Sequence, residues 1–236
     1  MDLSGRDLRR HNFARAKLKK AKLARANLSG VNLSYANLTK ARASEANFEG
    51  ADLSYADLSG ANFAYTNLSG ANLTGANLNG ASLGYANLAT AILIRASLID
   101  VYAAGSDFSG AVLSAANLEG ANLRGARLQK SVLVAANLAR AKLSEARLVQ
   151  ADLTDANLSP RTFLHMADLT EANLTRANLG GAEQYQGAIL WGADLTRANL
   201  TGANLQHVDW TSPNWTTAKF FNTVMPDGSI RSASMR

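Results

Sequence analysis

The sequence contains no cysteine, which excludes disulfides, thiol nucleophiles and thiolate metal sites and agrees with a reducing compartment. No apolar run approaches the roughly 20 residues that a membrane-spanning helix requires. The chain enters its repeat at Leu3, so no leader is expected and a cytoplasmic protein is predicted. Histidine occurs only at His11, His165 and His207, too far apart for metal-ligand spacing or for a Ser-His-Asp arrangement. The glycines punctuate a short repeat and lack the strand-loop-helix context of a phosphate-binding motif. No catalytic, cofactor-binding or metal residue follows from the sequence, and a non-enzymatic protein without a small-molecule substrate is expected. An acidic excess is also missing: Lys and Arg number 24 against 18 Asp and Glu, for a net charge of +6.

What the chain has in abundance is one five-residue unit, as in Ala46-Asn47-Phe48-Glu49-Gly50 and Ala51-Asp52-Leu53-Ser54-Tyr55. From Leu3 to Leu158 every fifth residue is Leu or Phe, except Ala43 and Ala103. Two positions earlier, from Ala16 on, sits Ala, replaced at Val31, Thr66, Val101, Ser106 and Ser131. Five fits neither the helical period of 3.6 nor the strand period of two. It does fit a square tube with five residues per side and about twenty per coil, Leu/Phe and Ala pointing inward. Coils then stack as parallel strands ~4.8 Å apart, giving an all-β rod of about eleven coils and roughly 50 Å. Residues twenty apart become vertical neighbours.

The tandem Ala-(Asn/Asp)-Leu-x-Gly units resemble those of the pentapeptide-repeat proteins. The resemblance implies a right-handed quadrilateral parallel β-helix and a non-enzymatic role. One branch of that family consists of acidic DNA mimics that bind gyrase; the basic charge here opposes that role. The ending Met225-Pro226-Asp227-Gly228-Ser229-Ile230 is similar to that of cyanobacterial members. Among those is one that promotes heterocyst differentiation by acting on a transcription regulator, which implies a regulatory scaffold with a protein partner, a transcription regulator being one candidate. Family members can also pair through their C-terminal ends, so both monomer and dimer stand open.

Residues 1–206 are read as the β-helix, with phase-breaking bulges near 159–167 and 180–187, and 207–236 as a last coil, cap and polar tail. Central positions there become Trp210, Trp215, Phe220 and Met225, large for a narrow tube. Three surfaces stand out. The first is a basic end carrying Arg9, Arg10, Arg15, Lys17, Lys19, Lys20, Lys22 and Arg25. It suits an anionic partner, nucleic acid or a membrane surface, or serves simply to keep the open strand edge from stacking. No aromatic residue interleaves it for base stacking. The second is a lateral face where Ile92, Val112 and Val132 replace the usual Asn or Asp at intervals of twenty, with Ile94 and Val134 beside them. Apolar residues in register mark a contact face or merely suit strand geometry. The third is the pair of bulges, each read as one extra residue, which place Leu164 beside Tyr185 or Phe163 beside Gln184. Arg161, Phe163, His165, Tyr185 and Trp191 are the candidate contacts there. Tyr35 is expected above or below Tyr55, and Tyr65 likewise with Tyr85.

Overall fold

The computed structural model describes residues 1–184 and 186–232. Among these there is no helix, and the chain winds into a four-sided tube whose coils meet through parallel bridges between residues twenty apart. One column of bridges runs Asn32, Asp52, Asn72, Ile92, Val112, Val132 and Asp152; another runs Lys22, Arg42, Asn62, Ser82, Tyr102 and Asn122. These two columns lie on opposite sides of the square. We call the side carrying Lys22, Arg42 and Tyr102 the first, and the others follow in chain order, so that Ile92 lies on the third.

Each residue of the repeat has a physical task. The central Leu and Phe and the preceding Ala fill the interior and are almost all wholly buried. A narrow tube leaves no space for two large chains per side, hence the Ala. Where Ala43 and Ala103 give up volume, Phe48 and Phe108 follow on the next side, and all four are fully buried. Phe63, one coil above Ala43, meets Phe48 with ring centroids 5.3 Å apart. Hydroxyls in the Ala slot are satisfied internally: Thr66 donates to the carbonyl of Ala43, and Thr162 to that of Leu138.

The Asn or Asp before the central residue turns the corner. Its side-chain oxygen accepts the N–H two residues on, as from Ser54 to Asp52 (3.0 Å) or from Ser59 to Asp57 (3.0 Å). Its amide, where present, donates to the residue one coil away, giving ladders such as Asn67 to Asn47 and Asn157 to Asn137. The last position of nearly every unit has positive φ, at Gly60 (63°) but also at Tyr55 (56°) and Lys40 (56°). Glycine is therefore not required by conformation alone. At two corners it is required by space: a Cβ at Gly75 would lie 2.6 Å from the ring of Tyr55, and one at Gly105 2.6 Å from that of Tyr85. Tyr35 does stack on Tyr55 (5.1 Å), and Tyr65 on Tyr85 (5.3 Å). The guanidinium of Arg15 lies 5.0 Å from the Tyr35 ring centroid.

Beyond residue 207 the tube closes. Trp210 meets Trp215 edge-on at 4.3 Å, and Trp215 meets Phe220 at 6.3 Å. A short antiparallel hairpin, β1 (Thr223–Val224) with β2 (Ile230–Arg231), crosses this end and puts the Arg231 guanidinium 4.6 Å from the Phe220 ring centroid. No helix among the described residues is long and apolar enough to cross a membrane.

Candidate functional site

Both breaks in phase fall at the corner between the fourth and first sides; the first has the expected size and the second is larger. At the first, one residue is added: Arg140 N–H donates to the carbonyl of Pro160, and Lys142 pairs with Phe163. Thr162 then occupies the Ala slot, Phe163 the Asn/Asp slot and Leu164 the buried centre. At the second the insertion is six residues, because Phe163 pairs with Ile189 and Asn178 with Asn204, each separated by 26. The N–H of Ala188 reaches back to the carbonyl of Leu179, the bond that elsewhere spans three residues, as from Ala177 to Leu174. Phe163 therefore lies beside Ile189 and not Gln184, and Leu164 N–H donates to the carbonyl of Ile189. Tyr185 itself lies outside the described residues.

The physical reason is that the corner, unlike the sides, has no inward side chain to keep in register. The loop can leave and return there without disturbing the buried Leu179 and Ala188. Gly181 N–H still donates upward to Gln206, and Arg161 N–H donates to Gln186 on the returning strand.

The consequence is an exposed apolar cluster on the first side. Phe163 is 37% exposed, Met166 57% and Trp191 54%. His165 packs against Trp191 with ring centroids 4.4 Å apart, and half-buried Ile189 completes the surface. A Cβ at Gly192 would lie 2.7 Å from the Met166 sulfur, so Met166 drapes over that glycine. The structure thus unites three expected residues, Phe163, His165 and Trp191. It sets Arg161 on the adjoining corner, exposed beside them. Met166 and Ile189 are additional. Ile189 carries the same signal as Ile92, an apolar residue in the Asn/Asp slot, once the six-residue insertion is allowed for. Lys142, one coil below Phe163, and Arg161 give the cluster a cationic margin, and neither is ion-paired among the described residues.

The Ile92 face proves less open than expected. Ile92, Val112 and Val132 are successive bridge partners, but only Ile92 is exposed (38%); Val112, Val132, Ile94 and Val134 are half-buried. They form an apolar column in place of the amide ladder that resumes where Asn173 donates to Asp152. Among the described residues no group of His, Asp and Glu is placed to hold a metal ion, and no buried side-chain N or O lacks a partner.

The fold defines the class first: a four-sided parallel β-solenoid built from five-residue units. The profile of the pentapeptide repeats matches residues 2–34, 32–64, 56–93, 91–129, 131–159, 161–183 and 186–209, and the chain belongs to that family, with its right-handed quadrilateral β-helix. The last matched segments break where the structure places its two insertions. Among solved structures the chain is similar to HetL, a pentapeptide-repeat protein involved in heterocyst differentiation regulation from the cyanobacterium Nostoc sp. Strain PCC 7120. That similarity is 33% identity over 94% of each chain, with a TM-score of 0.63. It also matches a pentapeptide-repeat protein of the Arabidopsis thaliana thylakoid lumen, at 26% identity over 39% of this chain and 63% of that one, TM-score 0.38. A plasmid-mediated fluoroquinolone resistance protein, QnrB1, matches at 20% identity over 96% of this chain and 84% of that one, TM-score 0.33. No curated protein matches.

Proposed function

We propose that the protein is a non-enzymatic interaction scaffold that docks a protein partner on the first side, over Phe163, His165, Met166, Ile189 and Trp191. The observation that carries this reading is the exposure of Phe163, Met166 and Trp191 together on the first side and its corner, where three large apolar side chains from two adjacent coils meet. Large aromatic and Met side chains are enriched at the centres of protein interfaces, and exposed clusters of them mark contact sites. The backbone of that side is already paired above and below, so a partner strand cannot join the sheet, and binding must come from side chains. Lys142 and Arg161 on the margin suit a partner surface that is apolar at its centre and acidic at its rim. A regulatory partner, such as the transcription regulator implied for heterocyst-promoting relatives, is consistent with the similarity to HetL.

The test compares two variants in capture from a host extract, followed by mass spectrometry and direct titration of the protein retained. Phe163→Ser with Trp191→Ser is expected to weaken that protein's binding at least tenfold. Val112→Asn with Val132→Asn, on the opposite side, is expected to retain it. Equal retention by the first variant, or loss only in the second, would overturn the assignment.

A further inference from the structure

The basic residues at the start of the tube are not spread evenly around it. Arg9 is paired with Asp7, Lys22 with Asp2, and Arg25 with Glu45. Lys17, Lys19, Lys20, Lys40 and Arg42 form no ion pair among the described residues, and all are exposed. These five, with Lys22, wrap the corner between the fourth and first sides. Lys17 and Lys19 flank the buried Leu18 on the fourth side. Lys20 and Lys40 stand one above the other at the apex, both with positive φ (59° and 56°). Lys22 and Arg42 are bridge partners on the first side.

Edge protection does not explain this cluster. It requires charge only on the first coil, whose lower face is open. Arg42 lies between Lys22 and Asn62, paired both below and above. Stacking Lys22 beneath Arg42 also costs stability, because like charges directly opposite repel. Elsewhere several exposed cations are placed against an acid about one coil away, as Arg25 with Glu45, Arg124 with Glu145 and Arg176 with Asp155, and those unpaired among the described residues, such as Arg95, Lys130 and Lys219, stand on different coils. Arg127 below Arg147 repeats the Lys22–Arg42 stack, each lower cation being bonded to an acid one coil beneath it (Asp107 and Asp2), so it is the adjoining unpaired Lys17, Lys19, Lys20 and Lys40 that set this corner apart.

We infer that this corner binds the phosphate backbone of duplex nucleic acid. The shape decides between polyanions. A convex edge with Lys17 and Lys19 on one flank and Lys22 and Arg42 on the other presents cations in two directions about a right angle apart. The duplex major groove, about 12 Å wide with phosphates on both walls, meets both flanks. A planar anionic membrane meets only the apex or one flank, and no apolar side chain stands at this corner to insert into it. With no aromatic residue here, binding is expected to follow the backbone without reading sequence.

The test is fluorescence anisotropy with a labelled duplex of about 20 base pairs of mixed sequence, over a range of salt. Four or five neutralised phosphates predict a log–log salt slope near −4. Lys19→Gln, Lys20→Gln, Lys40→Gln and Arg42→Gln together are expected to lower affinity at least tenfold and to roughly halve that slope. Removing the same charge elsewhere, by Arg95→Gln, Lys130→Gln, Arg147→Gln and Lys219→Gln, is expected to change affinity less than threefold. Equal loss in both variants would show a mere net-charge effect and overturn the assignment. So would absent or salt-independent binding, or tighter binding to vesicles of one-third phosphatidylserine than to the duplex. Phe163→Ser with Trp191→Ser is expected to leave duplex binding unchanged, which keeps this corner distinct from the partner-docking cluster several coils further along the tube.

Discussion

Trp191 packs against His165 with ring centroids 4.4 Å apart, across a step of 26 residues where the regular coils use 20. The extra six leave the wall at one corner and return to it, and Met166 N–H still donates to the Trp191 carbonyl at 2.9 Å. The insertion therefore changes the surface without changing the stacking beneath it.

Deleting residues 182–187 is accordingly expected to preserve the fold. Gly181 would connect to Ala188, restoring a step of 20 between Leu164 and Leu190, and a closed loop adds little stability of its own. Far-UV circular dichroism should be unchanged and unfolding free energy should move by no more than about 1 kcal/mol. Loss of cooperative unfolding would show that the loop holds the coil together.

Gly105→Ala and Gly80→Ala separate two contributions at the corners. Both positions have positive φ (67° and 63°), so both pay the conformational cost of about 1 kcal/mol. Only at Gly105 would the new Cβ strike the Tyr85 ring, while at Gly80 it meets nothing within 4 Å. The Gly105 variant should melt several degrees below the Gly80 variant and lose the Tyr65–Tyr85 stack in a crystal structure. Equal melting temperatures would refute the steric argument.

Val112→Asn with Val132→Asn should be tolerated. Each Asn can accept the N–H two residues on and rejoin the ladder between Asn72 and Asp152, replacing a half-buried apolar contact by hydrogen bonds of similar net value. Thermal melts are expected to stay within a few degrees of the parent. A drop beyond about 3 kcal/mol would show that the apolar column has become part of the core.

Acid should destabilise the solenoid through its ladder carboxylates. Burial pushes the Asp107 carboxyl up, but hydrogen bonds from Arg127 and Ser109 outweigh it and hold the group below the ordinary 3.8. Asp57 is likewise lowered: burial again opposes, and Ser59, Thr39 and Asn77 donate to its anion. A carboxyl lowered on folding contributes stability that is complete above 3.8 and is lost as pH falls through its folded value. Melting temperature should thus be flat above about pH 5 and fall below about pH 4, with a shallower fall in Asp107→Asn. An identical acid profile in that variant would remove Asp107 from the account.

The sequence by itself determined the tube. With Leu or Phe at every fifth position and Ala two before it, only a four-sided coil gives each of those side chains the same buried place. Stacking of Tyr35 on Tyr55 and the alignment of Ile92, Val112 and Val132 follow from counting by twenty. The insertions were not legible in the same way. By periodicity the second reads as one extra residue, because Ala188-Ile189-Leu190 resumes at a distance that fits two more units plus one. The tertiary structure spends that stretch on a single corner, since a loop outside the wall costs less than filling a side with Glu183, Gln184 and Gln186 in place of inward Ala and Leu. That choice brought Ile189 and Trp191 over Phe163 and His165, and no periodicity could state it, because the corner is the one place where the interior does not constrain the count.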